Sequence, residues 1–311
     1  MISRLMLVLL VLLASSVEAV WAHVSTGTSS FTDSLTEWHW RSDVTTVVLF
    51  FSGTYIIGWW HLRKRNLHGA KKWQLWLYLT SMATICLALL SPIDALGSSL
   101  FLFHMVQHEL LMMVAAPLLL LGNPMPVLLW GFPPRLRYGL GRLLIRGAFV
   151  RRALKIITWM GVTWPLYIIN LWAWHYPPAF EAALRNDLIH DLQHVCFFIT
   201  GLLFWWPVIN PAPKVHGQIP YGFRILYVMA AALPTMFPVM GLVFFTQRIL
   251  YPYYTAVPRL WDLTPLEDQS QGWAIMALSE GSAYLIAILL LVARMAEHEE
   301  RLVRAEQAAG V

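Results

Sequence analysis

The chain has 311 residues, 58% of them hydrophobic and only 13% charged, with a formal net charge of +5. A soluble domain carries about 25% charged residues, so the composition excludes an ordinary soluble globular protein. Two cysteines with no CxxC pair exclude a thiol redox motif and the usual thiolate metal centre.

Residues 1–22 read as a secretory signal peptide: Arg4, an apolar run from Leu5 to Ala14, then small residues with cleavage expected after Ala22 or Ala19. Residues 23–42 form a polar, Ser/Thr-rich segment expected outside the cytoplasm. Apolar stretches near the spanning length of about 20 residues follow, and they are continuous rather than alternating, which argues against a β-barrel. They cover 43–61, 73–92, 99–121, 156–175, 188–208, 223–245 and 271–293. The expected fold is an all-α polytopic membrane bundle of seven transmembrane helices over 43–293, with a cytoplasmic tail at 294–311.

Basic residues orient the bundle. One side carries Arg63, Lys64, Arg65, Lys71 and Lys72, the arginines of the 122–155 connector with Lys155, then Lys214, Arg224, Arg294, Arg301 and Arg304. The other carries Arg41, Arg185, Arg248 and Arg259. The amino terminus is therefore expected outside and the carboxyl terminus in the cytoplasm. Within the connector, Pro124, Pro126, Pro133 and Pro134 break helix, and residues 136–152 alternate apolar residues with five arginines. That stretch reads as a basic amphipathic helix on the anionic inner leaflet, or as a solvated loop.

Five histidines then fall at one depth. His104 and His108 open the third span, His175 closes the fourth, and His190 and His194 open the fifth. The pairs His104-Met-Val-Gln-His108 and His190-Asp-Leu-Gln-His194 are i, i+4, which puts two imidazoles on one helix face. Ligand-capable side chains inside membrane spans point to function, because lipid offers them no partner. Imidazole ligates copper and zinc, and Met thioether favours Cu(I), so Met105 is a supporting candidate. Asp187 and Asp191 each precede a histidine by three residues, a spacing suited to holding its second ring nitrogen. Asp94 and Asp268, at span ends of the same depth, are further candidates for support or ligation. Taken singly, each histidine also has a plain structural reading as a hydrogen-bonded interhelical group. Glu109 and Glu280 lie deeper in spans and suit pairing or proton relay. No nucleotide loop, Ser/His/Asp array or paired catalytic carboxylates emerge, so no enzyme is expected. Nucleic acid is not an expected partner, since the basic residues line the membrane.

Four motifs stand in order on these spans. They are His104-Met-Val-Gln-His108 with Ala116-Pro117 through Gly122, Trp174-His175-Tyr176-Pro177, His190 to His194 with Phe204-Trp205-Trp206, and Asp268-Gln269 through Met276. Together they resemble the seven-span cytochrome c oxidase assembly factor family CtaG of the Bacillus type, over about residues 40–292. The resemblance implies a factor of the bacterial plasma membrane that matures a haem–copper oxidase through copper handling. Its partners would be membrane lipids and an oxidase subunit or other copper-handling assembly proteins. Two alternatives stay open: a b-type haem redox protein with axial histidines, and a copper or proton transporter.

Overall fold

A computed structural model describes residues 38, 40–65, 70–145, 147–258 and 261–309. The expected signal peptide and most of the external segment lie outside the described residues. Among the described residues the fold is all helical, with no strand. In chain order the helices are α1 (Ser42–Arg65), α2 (Lys72–Leu90), α3 (Pro92–Gly97) and α4 (Phe101–Glu109). A π-helical segment (Leu110–Ala115) leads into α5 (Ala116–Leu121), then α6 (Pro124–Gly131), α7 (Pro134–Leu143) and α8 (Phe149–Ile157). There follow α9 (Met160–His175), α10 (Pro177–Arg185), α11 (Asp187–Ile209), α12 (Tyr221–Phe245), α13 (Tyr253–Ala256) and the long α14 (Pro265–Ala309).

Five helical stretches are long and apolar enough to cross a membrane: α2, the continuous Phe101–Leu121 stretch, α11, α12 and α14. A sixth arises if α8 and α9, bent by 60° at their junction, act as one broken span. The remaining expected span, α1, has 24 residues, but Ser, Thr, Gly and Tyr interrupt its aliphatic run. Outward faces of these helices are apolar, as lipid requires: Leu233, Phe237 and Phe244 on α12 and Leu278, Leu285 and Leu289 on α14 are all exposed.

The Phe101–Leu121 stretch sits at the centre, with 61% of its apolar window buried against 22% for α12. It packs on α14, α11 and α2. Its π turn leaves backbone carbonyls that a regular helix would use internally. Two carbonyls of the segment accept from neighbouring helices: Trp205 Nε1 donates to Met112 O at 3.0 Å and Ser81 Oγ to Ala115 O at 2.7 Å. Unpaired carbonyls in lipid cost several kcal/mol, and contacts of this kind offset that cost.

On the flank, α1 crosses α6 at two glycines. A Cβ on Gly58 would lie 2.0 Å from Val127 O, and one on Gly131 would lie 2.1 Å from Thr54 O. The two backbones touch, and only glycine permits it. Tyr55 of α1 stacks on Tyr78 of α2 with ring centroids 3.7 Å apart, and its hydroxyl donates to Gly122 O at 2.6 Å.

The connector departs from the expected 136–152 helix. It forms two helices, α7 and α8, separated by a break in which Gly147 adopts φ +91°. A residue with a Cβ rarely takes that conformation, so the glycine suits the break between the two helices.

Candidate metal centre

The five histidines converge at one end of the bundle. His104 and His108 come from the first two turns of α4, His190 and His194 from the start of α11, and His175 from the last residue of α9. Ring centroids lie 4.4 Å apart for His104–His108, 4.2 Å for His190–His194, 5.0 Å for His104–His190 and 5.4 Å for His108–His194. His175 stands at the margin, its ring 6.0 Å from that of His108. His104, His190 and His194 each offer a ligand atom within 4.8 Å of the other two. Three nitrogens sharing one ion at about 2 Å stand about 3.5 Å apart, so the observed spacing is somewhat wider than a bound ion requires.

Hydrogen bonding supports the same reading. Both nitrogens of His108 and His194, and Nε2 of His175 and His190, are buried without a hydrogen-bond partner. Buried polar groups are almost always paired, so six orphaned imidazole nitrogens in one place call for a shared partner. His175 shows the pattern best. Its Nδ1 donates to Leu171 O at 2.8 Å, which leaves the lone pair on Nε2, the form in which imidazole ligates metal. His104 is held by Tyr254, whose hydroxyl lies 3.4 Å from Nδ1 and donates to Gly97 O at 3.0 Å. Aromatic rings wall the layer: Phe180 lies 4.8 Å from His104, Phe197 4.3 Å from His108, and Trp273 5.3 Å from His175.

Three of the four acidic candidates have scaffold partners among the described residues. The fully buried Asp268 carboxylate accepts from the backbone N–H groups of Phe101 and Leu102, both at 3.0 Å, and so caps α4 from the start of α14. A carboxylate there also complements the helix dipole. Asp94 accepts from Gln107 Nε2 at 2.7 Å, and the same amide donates to Ala88 O at 2.8 Å. Asp191 takes a two-pronged bond from Arg41, with Nη2–Oδ2 at 2.8 Å. Asp187 lies exposed in the first turn of α11. Met105 is buried in the core beside Phe101 and Trp273, where Gly272 leaves room for it.

Two glutamines here were not singled out from sequence as site residues. Gln107 and Gln193 are both fully buried, and Gln193 Oε1 lies 3.4 Å from His104 Nε2. Each occupies the same position in its His-x-x-Gln-His motif, which was the available signal. Gln269 ties the loop before α13 to α14, accepting from Leu250 N at 2.7 Å and donating to Arg248 O at 3.1 Å. Beyond His108, Glu109 is buried with neither oxygen hydrogen-bonded, while Glu280 accepts from Tyr167 at 3.2 Å and Tyr167 meets Tyr284 at 3.1 Å.

Fold and site together define an all-helical membrane protein with a gathered imidazole layer at one end of its bundle. The chain belongs to the cytochrome c oxidase caa3 assembly factor family (Caa3_CtaG), whose model matches residues 53–298. Among curated proteins it is similar to an uncharacterized protein of Mycobacterium bovis, 25% identical over 284 residues. An uncharacterized protein of Mycobacterium tuberculosis matches equally, at 25% identity over 284 residues. Each match covers 88% of this chain but 41% of the relative, so the chain spans about two fifths of the length of these relatives. No solved structure matches the chain.

Proposed function

We propose that the protein binds copper in the histidine layer and takes part in maturing a haem–copper oxidase in the bacterial plasma membrane, without catalysing a reaction of its own. The observation that carries this reading is the set of ligand atoms of His104, His190 and His194 within 4.8 Å of one another, in a layer where four of the five imidazoles keep an unpartnered nitrogen. Neutral imidazoles in an apolar, aromatic-walled site suit copper, and His108 and His175 stand ready as further ligands. Family membership supplies the oxidase. In the topology we propose, α1 is the seventh span, the amino terminus is outside and the carboxyl terminus cytoplasmic. Exposed Leu49, Ile56 and Ile57 on α1 and the excess of basic residues at the end opposite the histidines support it. The histidine layer then faces the outside, where copper arrives and where an oxidase or another copper-handling protein docks.

Metal analysis of the purified protein tests the site. Wild type is expected to hold one copper per chain, and His104→Ala with His194→Ala to hold none. A wild type without copper, or unchanged binding in the double variant, sinks the proposal. In cells lacking the protein, the oxidase should be deficient in copper and be restored by wild type but not by the double variant.

Haem b draws on the same imidazoles, but rings already 4.2 to 5.4 Å apart and packed against Phe180 and Phe197 leave a macrocycle little room. A Soret band in protein from haem-replete cells would revive it. One observation favours transport as a second reading: Glu109, Glu280, Tyr167 and Tyr284 carry buried polar groups deeper than the histidines. Copper flux into proteoliposomes, lost in Glu280→Gln, would establish it.

A further inference from the structure

At the end of the bundle away from the histidines, α1, α6 and α7 enclose an open groove of about 480 Å³. Its walls carry two kinds of chemistry. Arg65, Arg137 and Arg142 supply guanidinium groups, while Leu129, Trp130 and Ile145 supply apolar surface. The Cζ atoms of Arg137 and Arg65 lie 4.2 Å and 5.3 Å from the centroid of the same Trp130 ring. One indole thus gathers two cations. Among the described residues, no carboxylate pairs with any of the three arginines. Like charges so assembled repel, and an anion placed among them removes the repulsion while gaining charge-assisted, forked hydrogen bonds.

The apolar wall says what kind of anion. A small soluble anion would use the guanidiniums and gain nothing from Leu129 or Ile145. Apolar side chains stand exposed on both connector helices and the break between them: Tyr138 at 67%, Ile145 at 60%, Phe149 at 83% and Ile156 at 64%. An amphipathic surface with cations above and bare apolar side chains below belongs at a lipid interface. The groove is also preformed, because the glycine contacts of Gly58 and Gly131 lock α1 to α6 beside Trp130. Little ordering is left for a ligand to bring about.

We propose that this groove is a specific site for one anionic phospholipid, with the phosphodiester among Arg65, Arg137 and Arg142 and an acyl chain along Leu129 and Ile145. It stands independently of the histidine layer and of any metal.

Native mass spectrometry of the full chain released from detergent tests it, with phosphatidylglycerol and phosphatidylcholine offered at equal mole fraction. Wild type is expected to retain one phosphatidylglycerol through activation that strips phosphatidylcholine. Arg137→Gln with Arg142→Gln should weaken that retention at least about tenfold. Arg142→Gln alone, at an exposed position, should weaken it to a lesser degree, which guards against a double variant that misfolds. Arg301→Gln with Arg304→Gln removes two charges from the far tail and should change nothing. Equal retention of the two lipids, or undiminished phosphatidylglycerol in both groove variants, overturns the proposal. So does displacement of the lipid by inorganic phosphate at matched concentration, which would make the site one for a free anion.

Discussion

Asp268 accepts a 3.0 Å hydrogen bond from the backbone N–H of Phe101, 167 residues earlier in the chain. With its second bond to Leu102, this one carboxylate fastens the start of α4 to the start of α14. His104 lies in the turn that Asp268 caps, so the angle at which α4 presents His104 and His108 depends on it. Asp268→Ala leaves one buried and one part-buried N–H group unpaired, at a cost of about 1–3 kcal/mol for the buried one. The expected outcome is a lower thermal midpoint together with weaker copper binding, although every histidine remains. A variant with wild-type copper affinity would show that the cap does not position the site.

Asp191 discriminates between two designs. Its i, i+3 spacing to His194 suits support of the imidazole, whereas the structure commits it to Arg41. Asp191→Asn and Arg41→Gln should each leave copper affinity within about threefold, since a half-exposed ion pair is worth about 1 kcal/mol or less. A tenfold or greater loss in Asp191→Asn, the usual effect of removing a ligand's supporting carboxylate, would instead tie Asp191 to the metal. Titrating copper into both variants decides it.

Gly58 and Gly131 make a steric prediction. Val at Gly58 or Leu at Gly131 cannot be accommodated by side-chain motion, because the atoms 2.0 Å and 2.1 Å away are backbone carbonyls. Either change should force α1 off α6 and sharply lower the yield of monodisperse protein in detergent. Normal yield with unaltered chromatographic behaviour would contradict the contact.

His216 gives the loop between α11 and α12 a pH response. Burial and the neighbouring Lys155 hold it below the usual histidine range, and its Nε2 lies 2.8 Å from Thr158 Oγ1 at the α8–α9 bend. A folded-state value below the unfolded one means the docked loop favours neutral imidazole. Its stabilisation is therefore present above about pH 6.5 and is lost as pH falls through the folded value. Hydrogen exchange over residues 211–217, corrected for intrinsic rate, should quicken between about pH 7.5 and about pH 5.5. Equal protection at both would remove this role.

The histidine layer was legible because two independent signals met in it. The i, i+4 pairs placed four imidazoles on helix faces, and the charge asymmetry set the spans that carry them at one depth. That His104, His190 and His194 bring ring nitrogens within 4.8 Å of one another needed the neighbouring helices, which spacing does not reveal. Arg41 and Asp191 are 150 residues apart, and nothing local marks their pairing. Span reading was sound where apolar runs are unbroken, as in α12, and weaker at α8–α9. There an amphipathic helix runs into an apolar one, and composition does not show the 60° bend. Gly147 was a visible breaker, but the arginine pattern on both sides of it suggested one continuous helix.

The wide turn at Leu110–Ala115 reaches further than its own hydrogen bonds. Each residue of a regular helix advances the side chains by about 100°. The π turn therefore sets the phase of His104 and His108 independently of the face that α5 presents to α2 and α11. The aim of the two imidazoles and the packing of the lower half of the span are thereby set separately. Deleting one residue from the segment would make the helix more regular and the protein worse, for the two halves would fall out of step.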